Sequence, residues 1–127
     1  MLLIIFLQNG YSQAIAISTK VNNLRANDFE QLLKNTENPQ LIDIRTPREY
    51  QMGHIAGAIN INYYDPSFKE NIMKAGLNKN KPVFIYCRSG NRSSRSLAIF
   101  KSLGFKKINH LVYGINDWYR NGFPLIK

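Results

Sequence analysis

Short apolar runs alternating with stretches of helical spacing constrain this chain more than any other feature. Leu41-Ile42-Asp43-Ile44, Ala58 to Ile61, Pro82 to Tyr86 and Ile108 to Val112 read as strands, each four or five residues long. Pro82 to Tyr86 is the strongest, because it is apolar on both faces as a central parallel strand must be. Helices are expected between the strands. Asn27-Asp28-Phe29-Glu30 has a cap residue followed three positions later by Glu, and Phe29, Leu32 and Leu33 share one face. Thr46-Pro47-Arg48-Glu49 combines an N-cap, a proline at the first helical position and a capping-box Glu. Asp65-Pro66 opens a third helix through about Lys74. A fourth runs from about Arg92 to Leu103 with Leu97, Ala98 and Phe100 inward and Gly104 as its stop. Asn116-Asp117-Trp118-Tyr119 starts a last short helix that ends at Gly122 and Pro124. Strands alternating with helices require crossover connections, hence an α/β fold with a mainly parallel sheet covered on both faces. Ligands of such sheets bind beyond the carboxyl ends of the strands.

At 127 residues the chain has room for one such domain, assigned to residues 18–127. Residues 1–17 carry no charge, start with the apolar run Leu2 to Leu7 and continue to Ala14-Ile15-Ala16. That order resembles a secretory leader cleaved near Ser12 or after Ala16, so a periplasmic or secreted location is expected, with a cytoplasmic one as the alternative. The run is too short to span a bilayer, and no integral membrane segment is expected. The formal charge of +9 favours anionic partners. Lysines such as Lys69, Lys74, Lys79, Lys81, Lys106 and Lys107 are scattered and not interleaved with stacking aromatics, which argues against nucleic acid. Arg88, Arg92 and Arg95 are clustered instead. Arg95, a turn into its helix, is read as solvated. A monomer is expected, with no cofactor.

The single cysteine, Cys87, excludes an internal disulfide and a thiolate metal cluster. It is the first residue after the strongest strand and opens the segment Cys87-Arg88-Ser89-Gly90-Asn91-Arg92-Ser93 before a helix. Gly90 and Asn91 tolerate the left-handed backbone that a sharp turn needs. A loop of this kind can aim successive N–H groups at one centre, and the helix behind it adds its positive end. A cysteine at the base of that nest has its thiolate stabilised. Arg88 and Arg92 add positive charge, and Ser89 or Ser93 can donate a hydroxyl hydrogen bond, unless Ser93 caps the helix.

Such a thiolate can attack phosphorus or a sulfane sulfur. Cysteine phosphatases place their arginine one residue further from the cysteine than Arg92 lies from Cys87, so that the loop wraps a tetrahedral phosphate. The shorter cradle suits a persulfide sulfur. Phosphatase or arsenate-reductase chemistry stays the alternative, as does a persulfide carrier serving one protein partner.

From about Leu24 to Leu125 the sequence resembles a rhodanese-homology domain. Three groups of residues carry the resemblance: Asp43-Ile44-Arg45, Glu49-Tyr50 and Gly53 to Asn60; the loop Cys87 to Ser93; and Gly114, Trp118, Gly122, Phe123 and Pro124. The resemblance implies a three-layer α/β/α fold with five strands and Cys87 as the sulfur-accepting residue. It also implies that amides of residues 88 to 92 hold the persulfide and that Arg88 contacts an anionic donor such as thiosulfate. A thiol, a protein cysteine or cyanide would accept the sulfur. Tyr113 stands where many members have the first glycine of a pair. Asp43 and Arg45 are expected to brace one another, Glu49 to cap its helix and Trp118 to sit in the core. His54 is read as a turn residue rather than a base, and His110 has no partner visible in the sequence.

Overall fold

The computed structural model describes residues 18–127, so the leader reading of residues 1–17 lies outside the described residues. Ten elements follow in order: β1 (Lys20–Leu24), α1 (Ala26–Lys34), β2 (Gln40–Asp43), α2 (Pro47–Met52), β3 (Ile59–Asn60), α3 (Phe68–Lys74), β4 (Val83–Tyr86), α4 (Asn91–Ser102), β5 (Lys107–Leu111) and α5 (Gly114–Arg120). The sheet order is β1-β5-β4-β2-β3, and every pairing is parallel. The α/β expectation therefore holds, with β4 at the centre. Among the described residues no helix is long and apolar enough to cross a membrane.

Strand alternation divides the core into two layers. Val83, Ile85 and Cys87 face α3 and α4, packing with Ile42, Ile44, Phe68, Ile72, Phe100 and Ile108. Phe84 and Tyr86 face the other way, onto Phe29 of α1 and Ile115 and Trp118 of α5. Trp118 is a core residue as expected, and its Nε1–H donates to the Pro124 carbonyl at 2.9 Å. Cys87 thus continues the apolar alternation of β4 and is buried as its next side chain.

Strand β1 is absent from the sequence reading. Its segment Lys-Val-Asn-Asn-Leu shows little apolar alternation, because Asn22 and Asn23 make side-chain bonds to β5 rather than filling a core. Helix α1 starts at Ala26, before the expected Asn27 cap. No local side chain caps it; the buried Asp117 of α5 accepts from the Ala26 N–H at 2.8 Å. Leu32, expected inward, is exposed. Helix α3 starts at Phe68, because Asp65 instead forms a turn, its side chain accepting from the Ser67 N–H at 2.8 Å. In α4 the inward face is Ser93, Ser96 and Phe100 with Leu97 and Ile99 against them, while Ala98 is exposed. Small buried serines let α4 lie close over the sheet. The capping box at Thr46 and Glu49 forms as read.

Candidate active site

The loop after β4 is held from outside by the start of α5. The Ile115 N–H donates to the Cys87 carbonyl at 2.9 Å, and the Asn116 N–H donates to the Arg88 carbonyl at 3.1 Å. With the carbonyls of Cys87 and Arg88 tied outward, loop amides are free to turn inward. Two of them reach the sulfur: the Gly90 N–H lies 3.1 Å and the Ser93 N–H 3.4 Å from Cys87 Sγ. Ser93 Oγ lies 3.3 Å from it. The two amides sit at the start of α4, where helix N–H groups lack carbonyl partners and the dipole is positive, so they favour negative charge on sulfur.

The geometry depends on glycine at two points. Gly90 has φ +107°, and a Cβ there would lie 2.0 Å from the Val112 carbonyl oxygen. Gly114 has φ +70°, and a Cβ there would lie 2.2 Å from the Arg88 carbonyl oxygen. The loop and the β5–α5 turn are therefore in backbone contact. Gly90→Ala is expected to cost roughly 2–4 kcal/mol from the unfavourable φ and the overlap. It should also move the 90 amide off the sulfur and lower any Cys87-dependent activity. Urea unfolding and turnover measured together check this, and a variant with unchanged stability contradicts the interlock.

The remaining loop residues separate into two groups. Arg88 and Ser89 are exposed. Arg88 lines a cleft of about 340 Å³ with Arg45, Glu49, Met52, Ile115 and Asn116. Ser89 lines a neighbouring cavity of about 330 Å³ with Arg25, Tyr113, Asn116 and Arg120. Tyr113 thus shares a cavity wall with the loop and carries the Arg25 guanidinium 4.9 Å over its ring. Asn91 is the first, exposed residue of α4 and is helical; Gly90 alone takes the left-handed turn. Ser93 is no cap: it lies inside the helix, fully buried behind the sulfur.

Arg92 differs from expectation. Its guanidinium grips Glu49 of α2 with both nitrogens, at 2.7 and 2.9 Å, and lies 5.3 Å from the centre of the Tyr64 ring. Arg92 is thus tied to α2 while its charge still acts on Cys87, and Arg88 is the loop arginine that lines the open cleft. Glu49, read only as a cap, also anchors the loop. Its carboxyl is lowered from 4.5 to about 2 by the Arg92 bond and by the bonds from Thr46, against burial, which pushes it up. A carboxyl that holds its proton less readily in the folded chain stabilises the fold fully above about pH 4.5, and that contribution is lost as pH falls toward 2. Glu49→Gln is expected to flatten the acid limb of stability against pH over that window. An acid limb identical to wild type contradicts the pairing.

Asp43 and Arg45 brace one another as read, with bonds of 2.7 to 3.1 Å between their side chains. The Arg45 guanidinium also donates to the Gly53 carbonyl at 2.7 Å. His54 bonds through Nδ1 to the Tyr50 carbonyl at 2.9 Å and stacks on the Tyr50 ring, a structural place in keeping with its reading. His110 does have partners: Nε2 lies 2.6 Å from Ser93 Oγ and Nδ1 lies 2.9 Å from Asn23 Oδ1. Sequence reasoning could not find this chain, because its members sit on α4, β5 and the unrecognised β1.

A buried cysteine cradled by helix-start amides at the carboxyl end of a central parallel strand is a candidate site for thiol-based group transfer or carriage. Residues 25–121 match the rhodanese-like domain family, and the chain belongs to it. It is 35% identical over 106 residues to a sulfurtransferase of Allochromatium vinosum, covering 84% of this chain and 95% of that one. It is 28% identical to the thiosulfate:glutathione sulfurtransferase of Saccharomyces cerevisiae, covering 90% and 91%. It is 29% identical to a putative sulfur carrier protein, YrkF, of Bacillus subtilis, covering 89% of this chain but 59% of that protein. Among solved structures, a rhodanese-related protein of Thermoplasma volcanium superposes with a TM-score of 0.67 at 28% identity, over 82% of this chain and 96% of that one. These likenesses support a sulfurtransferase or sulfur-carrier activity.

Proposed function

We propose that the chain is a sulfurtransferase that takes a sulfane sulfur from thiosulfate or a persulfide donor onto Cys87 and passes it to a thiol or to cyanide. The observation that carries this reading is the placement of Cys87 Sγ against the Gly90 and Ser93 amides, beside a cleft edged by Arg88. In the first half-reaction the thiolate attacks the outer sulfur of thiosulfate. The new S–S bond forms as the old one breaks, and sulfite leaves with the electron pair. In the second, an acceptor thiolate or cyanide attacks the outer sulfur and returns Cys87 as a thiolate. Arg88 suits the anionic donor and the departing sulfite.

Phosphoryl chemistry in the same loop is less well supported. The loop is one residue shorter than a phosphate wrap, and Arg92, which would have to grip the phosphoryl oxygens, is engaged by Glu49. The carrier alternative is kept because of the Bacillus subtilis relative. Saturable turnover of thiosulfate with cyanide or a small thiol is expected for the isolated protein. Sulfur loading without turnover, relieved only by an added protein acceptor, would overturn the enzyme reading in favour of a carrier. We also propose that residues 1–17 direct export and are removed. Amino-terminal sequencing of protein recovered outside the cytoplasm tests this, and an intact terminus on cell-retained protein contradicts it.

A further inference from the structure

Behind the nucleophile lies a continuous hydrogen-bonded chain that the reaction just described does not use. From Cys87 Sγ it runs to Ser93 Oγ (3.3 Å), to His110 Nε2 (2.6 Å), and from His110 Nδ1 to Asn23 Oδ1 (2.9 Å). Cys87, Ser93 and His110 are buried, while Asn23 is exposed on strand β1. The chain therefore links a buried sulfur to solvent by a path separate from the cleft at Arg88. Burial alone requires both His110 ring nitrogens to be bonded; what sets this histidine apart is that one of them bonds the hydroxyl that touches the nucleophile.

Counting hydrogens fixes what the chain can do. Asn23 Oδ1 accepts, so His110 carries its proton on Nδ1 and its Nε2 accepts. Ser93 has one hydroxyl hydrogen; the Gly90 carbonyl lies 3.2 Å from Oγ, and the much shorter 2.6 Å contact assigns the hydrogen to Nε2. The hydroxyl then turns a lone pair toward Cys87, which suits an S–H donor and not a thiolate. A thiolate needs the Ser93 O–H pointing at it, and that requires a proton on Nε2.

We propose that His110 is a positioning residue which, with Asn23, sets the direction of the Ser93 hydroxyl hydrogen and so couples ionisation of Cys87 to the tautomer of a neutral imidazole. In the coupled step the Cys87 S–H proton passes to Ser93 Oγ as the Ser93 proton passes to His110 Nε2. The Nδ1 proton leaves to water at the exposed Asn23, whose carboxamide turns to present Nδ2. One proton is lost to solvent and the ring is neutral before and after. Burial supports a neutral ring throughout, since it lowers His110 from 6.5 to about 4. The charged group acting on Cys87 is the Arg92 guanidinium, already paired with Glu49, and burial alone shifts His110.

The inference rests on Cys87 being the nucleophile, but its test needs no sulfur donor. Cys87 is the chain's single cysteine, so alkylation by iodoacetamide reads this thiol, and its pH profile reports the ionisation. Nitrogen-15 NMR of the wild-type imidazole rings is expected to show His110 protonated at Nδ1 while Cys87 is a thiol and at Nε2 once it is a thiolate. The same tautomer in both states overturns the proposal. Alkylation of His110→Phe at pH 7 is expected to be about tenfold slower than wild type, the loss of one polarised hydrogen bond to a charged sulfur, with its pH profile moved upward. His110→Gln, which keeps a polar partner for Ser93, should recover most of that loss. Unchanged alkylation in His110→Phe, or no recovery in His110→Gln, overturns it. The NMR arm uses the wild-type chain and decides the matter even where a variant misfolds. A protein that shows this coupling yet never takes up sulfur would overturn the proposed function and leave the role of His110 standing.

Discussion

Cys87→Ser is expected to fold with a stability within about 2 kcal/mol of wild type and to reduce thiosulfate turnover to the blank. The serine hydroxyl keeps the partners that surround Sγ, namely the Gly90 and Ser93 amides and Ser93 Oγ, so the loop has no reason to open. What is lost is the reacting atom. A hydroxyl is scarcely ionised at neutral pH and makes no S–S bond with a sulfane sulfur, so neither half-reaction can begin. Thermal unfolding beside a cyanide assay checks both parts. Residual turnover above the blank in a folded Cys87→Ser protein would mean that sulfur is carried elsewhere, and the chain has no second cysteine to carry it.

The second large effect lies under the cleft rather than in the loop. Asp43→Ala removes a fully buried carboxylate from a guanidinium that is itself 6% exposed. Arg45 would keep the Gly53 carbonyl but lose its counter-charge, and the Arg45 backbone N–H would lose the bond it donates to Asp43 at 2.9 Å. Leaving one charge of a buried pair without its partner costs about 3–5 kcal/mol. That is a large part of the 5–15 kcal/mol typical of a domain. Equilibrium unfolding in urea is expected to show a loss of this size, partly recovered in Asp43→Ala/Arg45→Met, which removes the stranded charge. A loss below about 1 kcal/mol would show that solvent reaches Arg45 readily. The ion pair fixes the β2–α2 turn, and α2 holds Glu49 against Arg92, so the variant should also loosen the loop.

The features legible in the sequence were those whose causes are local. Val83 to Tyr86 is apolar at every position because both faces are covered, and Thr46 to Glu49 caps itself, so each could be read from its own residues. Cys87 stands out in the sequence because a strand end, a left-handed glycine and a helix start adjoin it in the chain. The features missed have causes distant in sequence. Helix α1 is capped by Asp117 from the far end of the domain, and β1 is held by asparagine bonds to β5 that leave no alternation to detect. Arg92 reads as part of the anion cradle because its sequence neighbours are Cys87 and Gly90, whereas its guanidinium is gripped by Glu49, which only the fold brings near. Ser93 reads from its neighbours as a cap or a donor. Its position behind the sulfur, backed by His110, follows from the close approach of α4 to β5.

The central claim is that Cys87 holds transferable sulfur, and the intact mass of the protein after incubation with thiosulfate tests it most directly. The wild-type chain is expected to gain the mass of one sulfur atom, to lose it on adding cyanide or a thiol, and to gain nothing as Cys87→Ser. A wild-type mass that never changes, or a gain that persists in Cys87→Ser, would contradict it.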